Sequence, residues 1–552
     1  MTVTTAPPTV PEPVVESLDA RDVRPRRIWW RAYLHHLRVL RNRALAWIAV
    51  IAGVGAGVTA GFADLYPTQA QRDSMAASIE GVPAFEALFD RTVEMATLEG
   101  FVLWRWGGFA VLVVAVWGMF SASALLRGAE ESHHLEPLRA GAIGPRGLLA
   151  AALAAMFTWF AALAAVVGLA HSGAGMDAAT AWAFGGALAL LAAVFAAAAA
   201  LAAQVVDSRR RTNGIIGIVL GVTLLTRVIA ASSGAPDWLW GATPFGWTSF
   251  LHESDGARPA VFAAFAVLLA VLTVGALALG RRDLHGARIV SDHDDPSARP
   301  IGGLGGLALH TARGPALAWG STLVISAIVF GLMAEDMASA MGDLPETRRM
   351  AAQIGWVLDS PLGVVASMLV FLTFVLGLFA AAQVAGIRDE EASWRIEPVL
   401  TRNVGRTQWL LVRTGVAAAA IVVAAAAMAV ASWAGTAITG VNLPLGDLPI
   451  TVANLVPVAW MFLGLGIAVF GLMPRITAPV AYAMVLAAYV LDLVGGILEI
   501  PEEILRYGPY RHVTAVPAAD MSVGPALLMI AVGVVGTAVG VAAFRRRDLR
   551  EA

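Results

Sequence analysis

A chain of 552 residues that is 58% hydrophobic and only 14% charged, with a mean hydropathy of +0.71, is too apolar for a water-soluble fold and has to be read against lipid. Its formal net charge of -2 says little about partners, because in a membrane protein the placement of charge carries the information. Cysteine is absent and all 38 basic residues are Arg, which excludes disulfides, thiolate metal sites, a cysteine nucleophile, a Schiff-base lysine and the lysine of a Walker A loop. Such a chain is not itself an ordinary P-loop ATPase. The bias toward Arg and Ala fits a high-GC genome.

Residues 1–25 are rich in Pro, Thr, Val and Glu without period and lack the apolar core and cleavage site of a signal peptide, so a disordered cytoplasmic tail is expected there. From Arg26 to Arg43, Trp30, Tyr33, Leu34, Leu37 and Leu40 fall on one helical stripe with Arg27, Arg31, Arg38 and Arg41 off it. That pattern predicts a helix lying in the headgroup region; the alternative is an amphipathic helix packing on a partner. Apolar runs long enough to span follow at roughly 44–63, 105–126, 148–170, 181–206, 214–233 and 259–280. A second set lies near 316–334, 362–386, 409–435, 451–473, 476–497 and 525–544. Between the sets, Ser291 to Gly306 is polar and then Gly-rich, a flexible cytoplasmic linker over 291–306 separating a first half, 26–290, from a second, 307–552.

The halves repeat. Arg127, Glu130, Glu136, Pro137 and Gly144 return as Arg388, Glu391, Glu397, Pro398 and Gly405, all at an offset of 261 (397 − 136). Ala44 to Trp47 returns at Ala316 to Trp319, and each half closes on Arg-Arg-Asp-Leu, at Arg281 to Leu284 and Arg546 to Leu549. Pro244-Phe245 answers Pro509-Tyr510 at 265 (509 − 244), the offset of that closing motif. The repeated loops, the tail, Arg209 to Arg211 and both closing motifs hold most of the arginines, so the positive-inside rule puts both termini and both loops in the cytoplasm of a cell-membrane protein. The expected fold is an all-α polytopic membrane protein: two parallel six-helix halves related by a pseudo-twofold along the membrane normal.

The loop after the second span of each half resembles the coupling loop of ABC exporter permeases of the drug and polysaccharide export group. The acidic residues Glu391 and Glu397, then Val399-Leu400 and Val404-Gly405-Arg406, carry the likeness in the second half, and Glu130, Glu136 and Gly144 in the first. In the first half the Arg is displaced by one, to Arg146, and both loops lack that family's usual Pro before the Val or Ile. The closing Arg-Arg-Asp-Leu and the Pro-aromatic pair extend the likeness over nearly the whole chain, which is most similar in design to fused, twelve-span actinobacterial polyketide-antibiotic (tetronasin-type) exporters with the type V exporter fold. The resemblance implies a permease that moves hydrophobic drugs or antibiotics outward. It also implies two copies of a soluble ABC ATPase, carrying ATP and Mg, docked on the two loops, and no enzymatic activity, cofactor or nucleic-acid partner for this chain. Arg127, Glu130, Glu136, Pro137, Gly144, Arg388, Glu391, Glu397, Pro398, Gly405 and Arg406 are the expected ATPase-coupling residues; the alternative is ordinary positive-inside loops with helix-capping acids.

In that family the second and fifth spans line the pathway, which nominates Trp117, Phe120, Met368, Phe371, Phe374, Tyr482 and Tyr489; ordinary helix packing is the alternative. Arg227 and Asp492 are the strong charges well inside spans and occupy equivalent positions (492 − 227 = 265). A bridge between them would close the outer end of the pathway; independent snorkelling is the alternative. His133 and His134 beside Glu130 and Glu131 lack His-Glu-x-x-His spacing and are expected to be solvated loop residues. A proton-coupled secondary drug transporter is the competing function, but the spans offer almost no carboxylate relay beyond Asp492. A membrane transferase would want clustered acids, and Glu499, Glu502 and Glu503 form the one such group.

Overall fold

The computed structural model describes residues 25–80, 85–86, 89–132, 143–231, 236–252, 257–281, 302–342, 356–495 and 502–547. Most of the expected tail, most of the 291–306 linker, Glu136 and Pro137 lie outside them. The described residues form helices and no strand, and twelve of the helices are long and apolar enough to cross a membrane, as the apolar runs predict. The protein is an all-α, multi-pass membrane protein. The chain divides into two compact units, Met1–Asp294 and Asp295–Ala552, with six of these helices in each.

In the first unit the helices are α1 (Pro25–Leu65), α2 (Leu98–Glu131), α3 (Pro145–Gly173), α4 (Ala178–Val205), α5 (Arg209–Ala230) and α6 (Ala257–Leu279). In the second they are α7 (Gly303–Leu332), α8 (Pro361–Ala392), α9 (Arg406–Thr439), α10 (Leu448–Leu472), α11 (Thr477–Gly495) and α12 (Val523–Arg546). Side chains that satisfy the first free N–H groups set several starts: Asp177 accepts from the Thr180 amide at 2.9 Å, and Ser360 from Gly363 at 3.1 Å with Pro361 next in line. Gly440, at φ 80°, ends α9 because glycine alone enters the left-handed region at no steric cost.

One expectation changes here. The stripe from Arg26 to Arg43 is not a separate helix at the headgroups. It continues without a break into the first span as the 41-residue α1, about 60 Å long at 1.5 Å per residue. Its first turns pack on α3 of the same unit, where Ala32 joins Ile143, Leu148 and Ala151, the Tyr33 hydroxyl lies 3.0 Å from Thr158 Oγ1, and Trp159 Nε1 donates to the Leu37 carbonyl at 3.2 Å. The linker expectation shifts as well, because Gly303 to Gly306 already form the first turn of α7.

The same packing scheme serves both units. In the first, α1 packs on α3, α3 on α4, and α4 on α2 and α6; in the second, α7 packs on α9, α9 on α10, and α10 on α8 and α12. The fourth helix of each unit is thus its centre, and small residues let its neighbours close on it. Gly118 of α2 lies against the Ala192 carbonyl of α4. Gly464 of α10 meets Gly533 of α12, and a Cβ on Gly536 would stand 2.8 Å from Gly464. The outer faces are apolar, with Val267, Val271 and Val274 on α6 and Leu527, Leu528, Val534 and Val535 on α12 exposed, as a lipid solvent requires.

Candidate functional site: the repeated loops and the span charges

Each second-span helix ends in the same device. In the first unit Arg127 Nη1 reaches Glu130 Oε2 at 2.8 Å while its Nε donates to the Ala203 carbonyl of α4 at 2.8 Å. In the second, Arg388 Nη1 lies 3.3 Å from Glu391 Oε2. Arg127, Glu130, Arg388 and Glu391 are all buried. Four of the residues expected to meet a docking protein are therefore covered by their own unit, where the last turn of the second helix packs.

The helix that follows each loop is held in the same manner. Gly144 and Gly405 are both the extended N-cap, at φ −69° ψ 162° and φ −73° ψ 147°, for α3 and α9. The arginine behind each cap reaches the end of the sixth helix of its own unit: Arg146 Nε donates to the Leu277 carbonyl at 2.9 Å, and Arg406 Nη1 to the Arg547 carbonyl at 2.7 Å. These are the orphan carbonyls of a helix terminus, which a cation satisfies well. The one-residue displacement of Arg146 is absorbed by the choice of carbonyl. Arg406, expected to meet an ATPase, has this internal partner and is half-buried.

The second loop has further anchors that sequence reading missed. Arg547, in the closing motif, grips Glu391 with two bonds of 2.7 and 2.8 Å and lies over the rings of Phe470 and Phe544. Arg413 Nη2 pairs with Glu390 at 2.6 Å and its Nη1 donates to the Ala308 carbonyl at 3.1 Å, beside a cavity lined also by Leu304, Val399 and Trp409. What the second loop exposes is the stretch between these anchors: Glu397 and Pro398, which open the short helix Glu397–Leu400, together with Arg402 and Trp394. Trp394 is 44% exposed and sits at φ 59°, a left-handed conformation that costs a bulky residue about 1–2 kcal/mol. Only the backbone reveals it, so no sequence signal could have marked that residue. The corresponding Glu136 and Pro137 of the first loop lie outside the described residues.

Each charge inside the spans meets an opposite charge of its own unit. Arg227 Nη2 lies 3.5 Å from Asp90 Oδ1, both nearly fully buried, and Asp90 accepts further from the Ser249 hydroxyl and from the Arg91 amide. Asp492 Oδ1 lies 3.4 Å from Arg511 Nε. Each of the two charges expected to bridge has an ion partner inside its own unit. The segments between spans, of which Asp90 and Arg511 are part, bring an opposite charge to each fifth helix.

A family model described as "Multidrug efflux system permease Rv1217c, C-terminal domain" matches residues 301–545. Along 495 residues the chain is 30% identical to the multidrug efflux system permease protein Rv1217c of Mycobacterium tuberculosis, covering 88% of each chain. The chain belongs to this family of multidrug efflux permeases.

The remaining nominated residues of this permease divide by unit. In the first, Trp117 is buried edge-on against Phe160 of α3, with ring centroids 5.0 Å apart, while Phe120 is 45% exposed. In the second, Phe371 and Phe374 of α8 come together with Tyr489 of α11: Phe374 stacks on Tyr489 at 4.2 Å and 22°, and Phe371 meets it edge-on at 6.1 Å. Met368 is buried on α8 and Tyr482 is half-buried on α11. Tyr510, which was noted in the Pro-aromatic repeat but not as a site residue, completes the cluster, 5.8 Å from Tyr489 and 5.9 Å from Phe462. Burial first, then Tyr489 and Asp492, push its phenol well above the usual tyrosine range.

Proposed function

We propose that this protein is the membrane permease of an ATP-driven exporter for hydrophobic drugs or antibiotics, worked by a separate ABC ATPase that docks on the two repeated loops. In this reading both termini and both loops are cytoplasmic, the two halves are related by a pseudo-twofold along the membrane normal, and one ATPase copy serves each loop. The observation that carries it is the design of the loop. A buried Arg–Glu pair locks the end of the second helix, a Gly cap and an Arg fix the start of the third, and the segment between them in the second unit is exposed. A lever needs that arrangement: rigid attachment at both ends, so that force applied to Glu397, Pro398 and Trp394 moves whole helices and not just a loop. Membership of a family named for multidrug efflux supports the cargo class.

The 552 residues hold no lysine for a Walker A loop, which supports a motor outside them. The test is reconstitution of the full chain in liposomes with a separate ABC ATPase. Export of a lipophilic dye that needs ATP and an intact ATPase Walker lysine supports the reading. Export by the permease alone down a proton gradient overturns it in favour of a secondary transporter.

A further inference from the structure

The repeat makes each half a control for the other. At the end of α11 remote from the repeated loop, Phe371, Phe374, Tyr489 and Tyr510 surround the approach to Asp492. The offsets of 261 and 265 place Ala110, Val113, Leu224, Phe245 and Arg227 at the equivalent positions of the first half. Those positions carry one ring, no hydroxyl and the opposite charge. The second and fifth helices also meet more closely in the second half, and the rings of Phe371, Phe374 and Tyr489 lie in that contact.

Two polar atoms in the cluster are left wanting. Tyr510 is 3% exposed and its hydroxyl, set close over Gly377, has no hydrogen-bond partner among the described residues; Asp492 Oδ1 is buried with no hydrogen bond among them, facing Arg511 at 3.4 Å and the charge of His512. A buried phenol hydroxyl without a partner and a buried carboxylate oxygen without a hydrogen bond are unfavourable unless a ligand supplies one. Ring faces and a carboxylate together match one ligand chemistry, a flat apolar body carrying positive charge and N–H donors. Arg511, whose side chain is 25% exposed, then acts as the resident cation that a ligand displaces.

We propose that Asp492, Tyr510, Tyr489, Phe374 and Phe371 form a binding site for a lipophilic aromatic cation, present in the second half only. The ligand's N–H groups donate to Asp492 Oδ1 and Tyr510 Oη, and its rings stack on Phe374 and Tyr489. This rests on the export reading above and narrows its cargo.

The experiment uses the purified full-length permease in lipid nanodiscs, with rhodamine 6G as the cationic probe and Nile red as a neutral one, read by fluorescence anisotropy. Asp492→Asn is expected to weaken rhodamine 6G binding at least tenfold. Tyr489→Leu, which copies Leu224 of the first half and leaves the ion pair intact, is expected to weaken it severalfold, and Arg511→Ala to tighten it. Nile red should not discriminate among these proteins. The Arg511 variant separates a site from a strut: were the Asp492–Arg511 pair structural only, Arg511→Ala and Asp492→Asn would act in the same direction. Equal rhodamine 6G affinity in all variants, or parallel losses in those two, overturns the proposal. ATP-driven export of Nile red by the reconstituted complex, with no saturable rhodamine 6G binding to the wild type, overturns the cation site and leaves the export reading standing. Rhodamine 6G binding in the stated variant order, without export of either dye, supports the site and overturns the export reading.

Discussion

Arg547 and Glu391 are joined by two parallel bonds, Nη1 to Oε1 at 2.7 Å and Nη2 to Oε2 at 2.8 Å, which tie the residue after the sixth helix of the second unit to the last turn of its second. Glu391 also receives Arg388, so one buried carboxylate serves two guanidiniums. Glu391→Ala leaves both cations without it in a site shielded from water, and the expected cost is about 3–5 kcal/mol of stability. Denaturant titration of the purified variant measures this, and under the proposed function dye export should fall with it.

The exposed stretch of the loop should behave in the opposite manner. Trp394→Gly removes the strain of a left-handed tryptophan, so stability should rise by about 1 kcal/mol. Glu397→Ala touches nothing buried and should stay within about 0.5 kcal/mol of the parent. Both should nevertheless lower the rate at which the permease stimulates its ATPase, measured by phosphate release at saturating dye. A stimulation unchanged in both would remove this segment from the docking surface.

Helix contact in the core of each unit depends on the absence of side chains. Gly464→Ala puts a methyl group against the Gly533 carbonyl where α10 crosses α12, and the expected loss is about 1–3 kcal/mol. Gly217→Ala on α5 meets open space, so the helix propensity of alanine should make it neutral or stabilising by about 0.5–1 kcal/mol. Thermal unfolding of the two variants side by side checks the contrast.

The charges at the fifth helices make a double-mutant test possible. Arg227→Gln alone leaves Asp90 buried beside Ser249 without its cation, a loss of about 3–5 kcal/mol, much of which Asp90→Asn should restore. Arg227→Gln combined with Asp492→Asn should instead be additive within about 0.5 kcal/mol, because the two share no partner. Measured coupling between Arg227 and Asp492 would revive the bridge that their register suggests.

One pH effect follows from the cap of α4. Asp177 accepts the Thr180 amide, then the Thr180 hydroxyl, and these bonds, with Arg258 near, hold its carboxyl below the usual range. A depressed folded-state pKa means that the stabilisation is complete at neutral pH and is lost as pH falls through the carboxylate range. Asp177→Asn should therefore flatten the acid limb of the stability profile between about pH 5 and 3 while leaving its slope above pH 6 unchanged.

Span number and the matching of the two halves could be read from residue order alone, since twenty apolar residues have to cross lipid and a duplicated motif keeps its register without reference to the fold. Arg127, Glu130, Arg388 and Glu391 likewise stand out as a repeat. Their orientation does not: periodicity places a residue on a helix but does not say whether its own unit or a partner covers that face, and here the unit covers it. Nor could register show that Arg227 and Asp492 have partners in Asp90 and Arg511, because segments between spans carry no hydropathy signal for where they return. Tertiary structure decided those points through distance, since a buried charge takes the first opposite charge the chain brings within reach.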